Sequence, residues 1–170
     1  AARLTHPNPC EAAIMDLSVV ILAAGKSTRF RSRISKVLHP LAGKPMILYS
    51  VDTAYTFSPS PPVLVVGDNQ SQVQALLGDR VRYVRQDQPL GTGHAVLQAR
   101  QALLGQCDVL LVTFGDMPLL RRETLQAVVD RFREKRPTIS MLTVISEDPM
   151  AYGRVVRDAS GGVVAIVEEA

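Results

Sequence analysis

At 170 residues, with 46% apolar and 21% charged, the chain has the size and balance of one globular domain, which excludes a disordered polymer. Its net charge of +3 comes without a dense run of Lys and Arg, which argues against a nucleic-acid surface and suits a polyanionic small substrate such as a nucleotide. No apolar run reaches the ~18 residues of a membrane helix, and Cys10 and Cys107 belong to no C-x-x-C pair, so neither a thiol metal site nor a disulfide framework is expected.

Residues 1–15 contain Pro7 and Pro9 and show no period, so they read as a flexible extension. Met15 is a candidate natural start, and no signal peptide is evident. Two scattered thiols fit a reducing compartment, the cytoplasm. Residues 16–170 read as the domain proper. Leu17–Ala23 is a continuous apolar strand, the pattern of a strand buried on both faces. Met46–Thr56 has helical spacing and is broken by the Ser-Pro-Ser-Pro-Pro run at 58–62. Val63–Val66 is a second buried strand, Gln70–Leu77 a short helix ended by Gly78, and Val81–Val84 a third strand. Thr92–Leu104 is a helix closed by Gly105, and Val109–Phe114 a fourth buried strand. Glu123–Lys135 is an amphipathic helix whose Arg residues read as a solvated face. Thr138–Ile145 reads as a strand. Val155–Val156 and Val163–Val167 flank Asp158-Ala159-Ser160-Gly161-Gly162 as a hairpin.

This order predicts an α/β fold: a Rossmann-like, doubly wound, mostly parallel sheet with helices on both faces and a C-terminal β-hairpin. In such sheets ligands bind beyond the carboxyl ends of the strands. Three polar segments fall at those ends. The small residues Ala23, Ala24 and Gly25 leave room for backbone N–H groups to approach a phosphate or base edge, and Lys26 and Arg29 add cations. Gly25-Lys26-Ser27 resembles the tail of a Walker A loop, but Val20 stands where that loop needs its first Gly, so a P-loop is rejected. The plain alternative is a strand-to-helix turn with surface cations.

Gln86-Asp87-Gln88-Pro89-Leu90-Gly91-Thr92-Gly93-His94-Ala95 follows the third strand. Its glycines permit close backbone approach, and Gln86 offers the donor and acceptor that a uracil edge requires. Thr92 also suits a helix cap. His94 has no nearby Cys or second His and reads as helix packing or local hydrogen bonding rather than catalysis. Asp116, after Gly115 at the end of the fourth strand, is placed either to hold Mg²⁺ beside a triphosphate or to cap the next turn.

Leu22-Ala23-Ala24-Gly25-Lys26-Ser27-Thr28-Arg29 resembles the signature loop of sugar-nucleotide pyrophosphorylases. Ser35-Lys36-Val37-Leu38-His39 with Leu41-Ala42-Gly43-Lys44-Pro45-Met46 is similar to the form found in the bacterial bifunctional GlmU family, N-acetylglucosamine-1-phosphate uridylyltransferases joined to an acetyltransferase. Ser27 and Phe114 depart from the family's commoner Gly and Tyr. The resemblance implies that Leu22, Ala23, Ala24, Gly25, Gln86, Gly91 and Thr92 bind the nucleotide. It implies that Lys26, Arg29 and Lys36 neutralise phosphate charge, with Arg29 foremost, and that Asp116 holds Mg²⁺. It also implies that Gly153 of Tyr152-Gly153-Arg154 and Glu168 of Ile166-Val167-Glu168 hold the acceptor sugar; on its own, Glu168 is a plain surface charge.

The implied reaction transfers UMP from UTP to N-acetylglucosamine-1-phosphate, with UTP and the sugar phosphate as the partners and no membrane or nucleic acid. The family domain continues past the position of Ala170, where it supplies two Asn residues, and then a left-handed β-helix through which it assembles. The chain is therefore expected to be truncated, with an open apolar sheet edge and an oligomer only if that β-helix is present. The alternatives are a nucleotidyltransferase for another base or sugar phosphate, and an inactive nucleotide-binding fragment.

Overall fold

The computed structural model describes residues 15–25, 32–148 and 152–167. Strand β1 (Leu17–Leu22) is followed by a short antiparallel pair, β2 (Pro40–Leu41) and β3 (Lys44–Pro45), and then helix α1 (Met46–Ala54). Strand β4 (Val63–Val66), helix α2 (Gln70–Leu77) and strand β5 (Arg82–Arg85) come next. Helices α3 (Thr92–Gln98) and α4 (Arg100–Leu103), strand β6 (Val109–Phe114) and helix α5 (Arg122–Lys135) complete the layered part. Strands β7 (Arg154–Arg157) and β8 (Val163–Val167) form an antiparallel hairpin.

The main sheet has the order β5-β4-β1-β6, and every neighbouring pair is parallel. β1 is central and buried along its whole length, which is why its sequence is apolar without alternation. Successive side chains point to opposite faces. Val19 and Ile21, with Leu64 and Val66 of β4, pack against Ile47 and Val51 of α1, Val73 and Leu77 of α2, and Leu125 and Val129 of α5. Val20, Leu22, Val63 and Val65 face the other way, onto Ala95, Ala99 and Leu103. The sheet is therefore wound on both faces, as the alternation of elements predicts. Burying a side chain of the size of Ile47 or Val51 contributes about 1.5–3 kcal/mol.

Two expectations need correction. The helix expected over Thr92–Leu104 divides at Ala99, where the Ala99 N–H bonds to the Val96 carbonyl at 3.0 Å and the Ala102 N–H to Ala99 at 3.1 Å. These i→i+3 bonds tighten the turn and press Ala99, 1% exposed, onto the sheet. The strand expected over Thr138–Ile145 is absent. Those residues are irregular, and Ile139, Val144 and Ile145 are exposed. β-Branched composition favours extended backbone, but a strand exists only where a neighbour completes its ladder. Among the described residues, β6 pairs with β1 alone and presents an open edge with Leu110 and Phe114 exposed. The hairpin forms as expected, its turn held by the Asp158 carboxylate accepting from the N–H groups of Ser160 and Gly162.

Candidate nucleotide site

The sheet ladder continues one residue beyond several strands. Ala23 N–H donates to the Val65 carbonyl at 2.8 Å, Gly115 N–H to Leu22 at 2.9 Å and Gln86 N–H to Val66 at 2.8 Å. The bends after β1, β5 and β6 consequently leave the sheet at one level. They surround a cavity of about 280 Å³, near the lower end of the ~300–1,000 Å³ usual for ligand clefts. Leu22, Ala23, Ala24, Gly25, Lys36, Gln86, Gly91, Thr92 and Asp116 all line it, with Val37, Pro89, Ala95 and Phe114 completing the walls. The cavity lies at the carboxyl ends of the strands, where the chain order reverses between β1 and β6. A second recess, between α1 and β6, holds about 10 Å³, room for a single water and not for a nucleotide.

Asp116 and Lys36 face each other across this cavity. Lys36 Nζ donates to Asp116 Oδ2 at 2.8 Å, with both side chains 37% exposed. Gly115, just before Asp116, is closely packed: a Cβ there would stand 2.7 Å from Cδ1 of the buried Ile47 and 3.3 Å from Cβ of Ala23, so a side chain at this position would require its neighbours to shift. Among the described residues no three His, Cys, Asp or Glu side chains gather as a metal cluster. A lone carboxylate beside a triphosphate nevertheless fits Mg²⁺, which takes one or two carboxylates and completes its shell with phosphate oxygens and waters.

Gln86 is 8% exposed, and its Nε2 donates to the Gly91 carbonyl at 3.3 Å. That carbonyl only accepts, so it sets which way the amide lies. The same Nε2 lies 3.0 Å from His94 Nδ1, while His94 Nε2 lies 3.1 Å from Gln98 Nε2; a neutral ring accepts at only one of these two contacts. His94 thus serves local hydrogen bonding, one of the two roles its isolation in sequence suggests. Gly91 has φ +100°, a conformation that a side chain strongly disfavours.

Sequence reasoning missed Asn69 and Gln72, at the start of α2. Asn69 Nδ2 donates to the Ala23 carbonyl and to Ser35 Oγ, each at 2.9 Å, and Gln72 bonds to the backbone of Arg33 and Ser35. An Asn before a helix reads as a cap, and nothing in the sequence pairs it with residues more than 30 positions away. Three expected site residues, Lys26, Arg29 and Glu168, lie outside the described residues. Gly153 is exposed just before β7 and does not line the cavity.

A family model for the MobA-like NTP transferase domain matches residues 19–161. The chain is 50% identical over 154 residues to a protein named bifunctional protein GlmU from Burkholderia orbicola, covering 90% of this chain and 33% of the relative. It is 45% identical over 149 residues to the protein of that name from Listeria monocytogenes, covering 88% of this chain and 33% of the relative. The chain thus spans about a third of the length of these curated relatives. Among solved structures, Rv0371c from Mycobacterium tuberculosis is similar with a TM-score of 0.60 at 23% identity, over 71% of this chain and 62% of that one. The same protein is also known as a complex with manganese, which matches with a TM-score of 0.58 at 22% identity, over 70% of this chain and 60% of that one. A nucleotidyl transferase from Methanothermobacter matches with a TM-score of 0.57 at 27% identity, over 68% of this chain and 57% of that one.

Proposed function

This chain belongs to the family of MobA-like NTP transferase domains, and from that premise we propose that it carries the uridylyltransferase chemistry of N-acetylglucosamine-1-phosphate activation. The observation that supports this most is the convergence of Gly25, Gly91 and Asp116 on one cavity. The likeness to proteins named GlmU supports the sugar phosphate as acceptor and cell-envelope precursor synthesis as the setting. Residues 16–170 form the nucleotidyltransferase unit on this reading, working in the cytoplasm. No helix among the described residues is long and apolar enough to cross a membrane.

In the proposed reaction, a phosphate oxygen of N-acetylglucosamine-1-phosphate forms a bond to the α-phosphorus of UTP. The bond from that phosphorus to the bridging oxygen of pyrophosphate breaks, and pyrophosphate leaves. The attacking phosphate is already an anion at neutral pH, so the reaction needs no general base. Catalysis then rests on position and charge. Gln86 and Gly91 hold the base. On this reading Gln86, whose Nε2 donates to the Gly91 carbonyl, would turn its Oε1 to the base. An acceptor there suits N3–H of uracil and opposes cytosine, whose N3 carries no hydrogen. The backbone of Ala23, Ala24 and Gly25 lies along the phosphates, and Lys26, Arg29 and Lys36 neutralise them. Asp116 would hold Mg²⁺, which when bound draws phosphate charge and aligns the triphosphate. Gly153 and Glu168 would receive the sugar.

The test is pyrophosphate release from UTP, N-acetylglucosamine-1-phosphate and Mg²⁺, by this chain and by one extended past Ala170. UTP should outcompete CTP and GTP, and N-acetylglucosamine-1-phosphate should outcompete other sugar phosphates. Release that favours CTP or GTP would move the chain to another branch of the family. UTP binding without release by either form would leave a nucleotide-binding module.

A further inference from the structure

We propose that Asn69, assisted by Gln72, is a positioning residue that sets Lys36 against the triphosphate. This rests on the reading of the cavity just given. An Asn immediately before a helix ordinarily turns its side chain onto the helix's free N–H groups. Asn69 precedes α2 and makes no such bond. Its Nδ2 instead donates to the Ala23 carbonyl and to Ser35 Oγ, both at 2.9 Å, while its Oδ1 accepts from Gly67 N–H at 3.1 Å. The amide can lie only one way, since a carbonyl only accepts and an N–H only donates.

Ser35 behaves in the same manner. It begins the 3₁₀ turn Lys36–Leu38 yet leaves that turn without a side-chain cap. Its hydroxyl goes to Asn69, and its N–H donates to Gln72 Oε1 at 3.0 Å. Gln72 Nε2 then donates to the Arg33 carbonyl at 3.2 Å. The first turn of α2 thus ties the end of β1, which lines the cavity floor, to the segment leading into Lys36. A Lys side chain is long and flexible, so its reach is useful only if its backbone is held. A displacement of about 1 Å at a catalytic group can cost about a hundredfold in rate. The 2.8 Å contact of Lys36 with Asp116 shows where the clamp aims it.

The experiment titrates UTP and uridine, each with Mg²⁺, into the intact protein by calorimetry. The variants are Asn69→Ala, Lys36→Ala and the double substitution. Asn69→Ala should weaken UTP about tenfold and leave uridine unchanged, since only the triphosphate meets Lys36. With Lys36→Ala already present, Asn69→Ala should cost UTP much less than it does with Lys36 in place. Equal losses for uridine, or a loss that adds in full to that of Lys36→Ala, would overturn the inference by making Asn69 merely structural. Unchanged UTP binding in Lys36→Ala would overturn the reading of the cavity, and the inference with it. Should Asn69→Ala fail to fold, Ser35→Ala removes one end of the clamp without touching β1. It should weaken UTP about threefold, again only when Lys36 is present, and no change would overturn the inference.

Discussion

Asp116 lines the cavity directly after the closely packed Gly115, and Lys36 Nζ donates to it at 2.8 Å. If Asp116 is the metal ligand, Asp116→Ala should cut Mg²⁺-dependent pyrophosphate release by about a hundredfold or more in the intact protein while the circular dichroism spectrum is preserved. Unchanged release would remove the residue from the proposed mechanism. Away from the cavity, Asp52 accepts from Lys44 and Arg80. Burial pushes its carboxyl up, the hydrogen bonds and charges of Lys44 and Arg80 pull it down, and the net lies below the ordinary carboxylate value. A carboxyl held low in the folded state adds stability above its unfolded value of ~3.9 and loses it as pH falls through the folded value. Asp52→Asn should therefore be less stable than the parent at pH 7. The gap should close in urea melts below about pH 4, and it should stay under about 1 kcal/mol because the pair is half exposed.

α1 links the core to the site. Ile47, Ser50, Val51 and Ala54 form its buried stripe, and Ser50 Oγ donates to the Phe114 carbonyl at 2.9 Å, beside the bend that carries Asp116. Ile47→Ala would open a cavity beneath Gly115 and should cost about 2–5 kcal/mol in equilibrium unfolding. A loss under about 1 kcal/mol would show that α1 can settle into the gap, contrary to its full burial. Some element boundaries were legible from an unbroken apolar run or a sharp punctuation residue, while those of β1, α1 and β5 fell one or two residues from the expectation. β4 and β6 follow their apolar runs residue for residue, and α2 ends at Gly78. The division at Ala99 was not legible, because the apolar spacing runs on through it without a punctuation residue. The absent strand at 138–145 shows the converse: the residues favour extension, but pairing requires a partner that composition cannot supply.

At the scale of the molecule, stability should grade from the centre of the sheet outward. β1 is paired on both sides and covered on both faces, whereas β8 keeps all its residues exposed. In hydrogen exchange, the amides of β1 and β4 should be the last to exchange and those of β7 and β8 among the first. Comparable protection in the hairpin would mean that it is buried more deeply than its exposed valines show. Among the described residues, β6 has a strand partner on one side only, with Leu110 and Phe114 exposed along it. The relatives named GlmU are about three times as long as the matched part.

The fold class, the alternation of the four sheet strands with their helices and the three polar bends were legible in the sequence, because apolar runs and glycine punctuation are local signals with local causes. The sequence also supplied His94 as a packing or local hydrogen-bonding residue, since no partner for catalysis stood near it. Only the tertiary structure decided that the bends leave the sheet at one level, that Lys36 meets Asp116, and that Asn69 abandons its own helix to hold Ala23 and Ser35. Each of those contacts joins residues at least 20 positions apart, and such distances are closed by strand order and packing, which no local pattern encodes.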